Sequence, residues 1–115
     1  MKNFRNEYSL LADSIEEVIE ATERFNILPN QRFFLLNFVD ELNLLTDKNY
    51  YIKNHSKQLD ALLNKFDCII DTIKEEEILS NSYVYDIFHQ LSLIFNKIFI
   101  LKEEVNIINF IINKK

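Results

Sequence analysis

Glycine is absent from this chain of 115 residues, and proline occurs once, at Pro29. Glycine is the usual residue wherever the backbone takes φ > 0, as in tight hairpins, phosphate-cradling loops and helix C-caps. Its absence excludes glycine-rich phosphate loops and predicts helices joined by short polar turns. Cys68 stands alone, which excludes an intrachain disulfide. Basic runs are missing too: the longest is Lys114-Lys115, and the net charge is −5. Direct binding to a nucleic-acid backbone needs a basic stripe and is not expected. An acidic surface suits a basic protein partner instead.

What is present is apolar and aromatic. Apolar residues make up 48% of the chain, with ten Phe and five Tyr, which is enough for one packed core over residues 1–115. The opening residues Met1–Arg5 carry no apolar signal segment, so cytoplasm is the expected compartment. The most apolar stretch, Ile98 to Ile112, is interrupted by Lys102, Glu103 and Glu104, and no membrane span is expected from it.

Four segments have helical periodicity. In the first, about Phe4 to Phe25, residues Phe4, Tyr8, Leu11, Ile15, Val18, Thr22 and Phe25 form a heptad seam, with Asn3 as N-cap. Pro29 ends it by biasing Leu28 away from helix. The second runs from Asn30, read as a cap, to about Thr46, with a wide apolar face from Phe33 to Leu45. The third spans Tyr50 to Leu79, with Ile52, His55, Leu59, Leu62, Phe66, Ile69 and Ile73 on one side. The fourth follows the capping cluster Ser80-Asn81-Ser82, with Val84, Ile87, Leu91, Ile94, Ile98, Leu101, Val105, Ile108 and Ile112 in register.

The expected fold is all-α, an antiparallel four-helix up-and-down bundle. The turn Asp47-Lys48-Asn49 separates segments two and three. The alternative keeps residues 30–79 as one helix of roughly 75 Å, in an elongated three-helix dimer. The end of segment four covers too much of its circumference with apolar residues to face one core. Ile108 and Ile111 are therefore expected at a protein contact, unless the Ile27-Leu28 loop covers that end.

Side chains with chemistry are few. Asp86 and His89 are an i, i+3 pair, but no second pair accompanies them, and no metal or other cofactor is expected. His55 on the apolar seam reads as a hydrogen-bonded core or boundary histidine. Cys68, between Phe66 and Ile69 and flanked by Asp67 and Asp71, reads as a small structural apolar residue. No catalytic set is evident.

The acidic clusters are more informative. Asp13, Glu16, Glu17, Glu20 and Glu23 are i+3 and i+4 neighbours, where like charges oppose helix formation. A face that accepts this cost is a candidate site for a basic partner. Glu75, Glu76 and Glu77 form a second cluster, expected near a helix C-terminus, where the dipole disfavours anions. Separately, Ser56-Lys57-Gln58-Leu59-Asp60 resembles the Ser-Gln-Glu-Leu-Asp signature of the small helical phosphatases of response regulators. It departs from that signature at Lys57 and Gln58. The resemblance implies that Asp60, with Gln58, would face a phospho-aspartate.

The expected function is a small, acidic, non-enzymatic inhibitor or regulator, of immunity type or phage anti-defence type, that occludes a basic surface of a partner protein. A structural subunit, including a homodimer, and the helical phosphatase are the alternatives.

Overall fold

A computed structural model describes residues 4–46, 52–73 and 75–113. The described residues are all-α: α1 (Phe4–Arg24), α2 (Pro29–Leu45), α3 (Ile52–Thr72), α4 (Glu75–Ser80) and α5 (Ser82–Asn113). The expected cap Asn3 and turn Asp47-Lys48-Asn49 lie outside the described residues. The molecule measures 54 × 22 × 20 Å, two helix diameters across and one long helix in length.

α3 packs extensively on α5, and α1 on α2; α1 meets α5 over a smaller area, α4 lies on α5, and α2 barely touches α3. The buried side chains form one contiguous cluster. The heptad seam of α1 is buried from Phe4 through Thr22, and that of α5 from Val84 through Val105. Deeply buried Leu35, Phe38 and Leu42 from α2 and Leu59, Leu62 and Phe66 from α3 belong to the same cluster. The contact between those two helices rests on Phe38 stacked against Phe66 at 4.6 Å, Gln31 Nε2 donating to Thr72 Oγ1 at 3.0 Å, and a Glu41–Lys65 ion pair.

Those pairs rule out a straight helix over residues 30–79. In such a rod, residues 31 and 72 would lie about 60 Å apart. α2 instead ends at Leu45, and Thr46 donates its N–H to the carbonyl of Asn43.

The α1–α2 corner replaces glycine with other chemistry. Asn26 takes φ 53° at the position where α1 terminates, a conformation usually left to glycine. Ile27 N–H donates to the Thr22 carbonyl at 3.0 Å and Asn26 N–H to the Glu23 carbonyl at 3.2 Å, the two bonds of a Schellman ending. Asparagine is among the few other residues that accept this conformation at low cost. Leu28 also lies in the left-handed region, at φ 51° and ψ 52°. For leucine this costs on the order of 1–2 kcal/mol, and burial of its side chain in the core offsets it. Pro29 opens α2 as its first residue, where its missing N–H is not needed, so Asn30 lies inside the helix and is not its cap.

Two arginines complete the caps reciprocally. Arg32, in the first turn of α2, donates from Nη2 to the carbonyls of Thr22 at 2.8 Å and Ile27 at 3.3 Å, and from Nε to Thr22 Oγ1 at 3.0 Å. Arg5, in the first turn of α1, donates from Nε to the Thr46 carbonyl at 2.9 Å, just past the end of α2. Each helix thus begins with a cation that satisfies the carbonyl end of the other, the placement the helix dipole favours.

Segment three does not continue to Leu79. It stops at Thr72, and Ile73 N–H makes a tight i−3 bond to Ile70. The reason is the position of Ile78. In an unbroken helix it would face away from the line Leu59, Leu62, Phe66, Ile69 and Ile73. The break turns it onto the core. Glu75, Glu76 and Glu77 consequently open α4 and do not close a helix, so the dipole there favours carboxylates. Asn81 then caps α5, its Oδ1 accepting the Tyr83 N–H at 2.9 Å.

Candidate protein-binding surfaces

Asp13, Glu16, Glu17, Glu20 and Glu23 all lie exposed on the solvent side of α1. The opposite side of that helix is its buried seam, so the register that buries Leu11, Ile15 and Val18 forces the five carboxylates outward together. Among the described residues none of the five is ion-paired. Arg24, the nearest cation in sequence, lies 5.8 Å from the Phe25 ring centroid. The outcome is a continuous acidic strip about three turns long.

The end of α5 is divided. Ile108 is half-buried against the core, whereas Ile107, Phe110, Ile111 and Ile112 are exposed. The Ile27-Leu28 loop does not cover them: it lies beside Asn81 and Val84, at the start of α5. At that start Phe25 stacks on Tyr83 at 3.9 Å. α5 has 32 residues, about 48 Å of helix, against 21 in α1 and 21 in α3. Full burial on its seam stops at Val105: Ile108 is half-buried and Ile112 is exposed. By length and composition Ser82–Ile112 is also apolar enough to cross a bilayer, a wider window than the charged stretch Ile98–Ile112; one third of the 18-residue apolar window within it is buried inside the fold.

A third surface was not foreseen. The slack contact between α2 and α3 leaves a groove of about 940 Å³ lined by Phe33, Phe34, Phe38, Cys68, Ile69 and Lys65, among others. Cys68 is exposed on this groove and is not the buried apolar residue its sequence position implies. Its place between Phe66 and Ile69 misled because those two are buried while Asp67 and Cys68 turn outward. The exposure of Phe33, Phe34 and Leu36 had a signal in the sequence, since α2 carries more apolar residues than one helix face can bury.

The remaining candidates have structural settings. Tyr8 Oη and His55 Nδ1 share a buried hydrogen bond of 3.0 Å, and the rings meet edge-on. His55 is therefore the hydrogen-bonded core histidine its position predicts. Burial pushes the Tyr8 hydroxyl well above its ordinary pKa, which keeps it protonated. Asp86 and His89 are both exposed, and among the described residues no group of three metal-binding side chains forms. In the Ser56–Asp60 segment, Ser56 hydrogen-bonds Asn106, and Asp60 pairs with Lys102 at 2.9 Å. Both ends of that motif thus serve the α3–α5 contact.

Comparison of the chain with protein-family models, curated proteins and solved structures found no match.

Proposed function

We propose that the chain is an antiparallel four-helix up-and-down bundle of α1, α2, α3 and α5, with α4 as a short connecting turn. The pairing of opposite helix ends supports this reading: Arg5 with Thr46, Gln31 with Thr72, Ser56 with Asn106, and Phe25 with Tyr83. On this scaffold we place a small, acidic, non-enzymatic inhibitor or regulator, of immunity type or phage anti-defence type. Its mechanism is occlusion: the acidic strip of α1 lies against a Lys/Arg-rich surface of a partner protein.

The observation that carries the reading is the strip itself. Five carboxylates crowd one side of a single helix, all exposed, and among the described residues none of them is ion-paired. Repulsion at i+3 and i+4 costs a few tenths of a kcal/mol per pair. A basic partner would relieve that repulsion and be drawn to it at long range. Reversing Glu16, Glu17 and Glu20 to lysine should abolish partner binding while circular dichroism stays unchanged. Retained affinity in that variant would sink the reading.

A further inference from the structure

The structure carries a second surface, independent of the acidic strip, on the outer side of α5. Leu93, Ile100 and Ile107 recur every seven residues, and Ile111 extends the line by one turn. All four are about half exposed, on the side of α5 away from the buried line Leu91, Ile94, Ile98, Leu101 and Val105. Leu10 of α1, also exposed, adjoins Ile100 across a small hollow that Lys97 lines as well. A helix with apolar lines on two opposite sides is built to lie between two packed layers. Its own fold supplies one layer.

We propose that the other layer is a second copy of this chain, bound through an antiparallel α5–α5 seam about a two-fold axis near Ile100. Three observations select that occupant. The first is area. Five half-exposed aliphatic side chains offer on the order of 100 Å² each, or about 500 Å² of apolar surface. At the roughly 65% apolar content of homodimer contacts, this corresponds to nearly 800 Å² per partner, the size of a standard stable interface. The second is spacing. A heptad line is self-complementary in an antiparallel pair. Leu93 of one copy lies opposite Ile107 of the other, and Ile100 meets its own symmetry mate. The third is charge. Lys97 and Glu104 flank the line on one edge, seven residues apart. The two-fold places each Lys97 beside Glu104 of the other copy. Asn96 and Glu103 supply a polar rim on the other edge.

Sedimentation velocity tests this on the full chain, with Ile100→Glu/Ile107→Glu as the disrupting variant and Phe33→Glu on α2 as the control. The expected result is a wild-type dimer at micromolar concentration, a monomeric double variant of unchanged helix content, and a control that remains dimeric. Should the double variant lose its helix content, Ile100→Cys on a Cys68→Ser background decides. Under mild oxidation it should give a disulfide-linked dimer, whereas Phe33→Cys on the same background should not. The proposal is overturned by a monomeric wild type, by a dimer that the α5 variant leaves intact, or by absence of the Ile100→Cys cross-link. A wild type that stays monomeric yet binds phosphatidylcholine–phosphatidylglycerol vesicles would overturn it in favour of a lipid surface.

Discussion

α1 and α5 lie side by side and divide their residues in different ways. α1 is apolar on one side and acidic on the other, so everything hydrophobic in it is accounted for by one core, Leu10 excepted. α5 buries an equally regular seam and still exposes Leu93, Ile100, Ile107 and Ile111 behind it. The first helix carries surplus charge and the second surplus apolar surface. Each surplus lies beyond what the fold requires, and the two proposals assign them different partners: a basic surface for one, an apolar heptad line for the other.

The largest effect should come from cutting into the shared core. Ile98→Ala on the buried side of α5 should lower unfolding free energy by about 2–5 kcal/mol. Leu93→Ala, on the outer side of the same helix, should change it by about 0.5 kcal/mol or less when the chains are dilute enough to be monomeric. Urea titration separates the two. Equal losses would mean that the outer line is packed after all.

The capping arginines should follow. Arg32→Leu removes three donated bonds from the end of α1 and should cost about 2 kcal/mol. Arg5→Leu removes one exposed bond and should cost under about 1 kcal/mol. Thermal melts of the two variants give that ranking.

Alkaline titration tests the Tyr8–His55 contact between α1 and α3. Burial raises the Tyr8 pKa above its ordinary value of about 10, so the unfolded chain releases that proton first. Stability from this group is fully present below pH ~10 and lost as pH rises beyond it, at up to about 1.4 kcal/mol per unit. Tyr8→Phe should cost about 1 kcal/mol at neutral pH and lack that alkaline component.

The smallest effect belongs to the acidic strip. Glu17→Lys places a cation between Asp13 and Glu20 and should stabilise the isolated protein by a few tenths of a kcal/mol. A variant that gains stability while losing its partner would separate the role of the strip in binding from its role in folding.

Both seams were legible in the sequence because heptad spacing leaves little freedom once a helix forms. Phe4 to Thr22 and Val84 to Val105 are buried as their spacing requires, whereas Phe25 and Ile112, which continue the same spacings, are exposed. The acidic strip followed from the same register. The break after Thr72 was not legible, since no glycine or proline marks it and its cause, the turning of Ile78 onto the core, is tertiary. The left-handed Leu28 was hidden for a similar reason: a local cost is outweighed by burial elsewhere. The α2–α3 groove depends on how loosely two helices pack, which neither periodicity nor charge encodes. The outer line of α5 was half visible. Its excess of apolar residues was plain, but the alignment of Leu93, Ile100, Ile107 and Ile111 on one outer line could be read only once the core side was fixed.

The most direct measurement of the central claim is a quantitative capture from host lysate with two baits, the native chain and its Glu16→Lys/Glu17→Lys/Glu20→Lys variant. The account predicts one basic protein retained near equal stoichiometry by the native chain, released by moderate salt, and absent from the variant. Equal retention on both baits, or no basic protein on either, would contradict it.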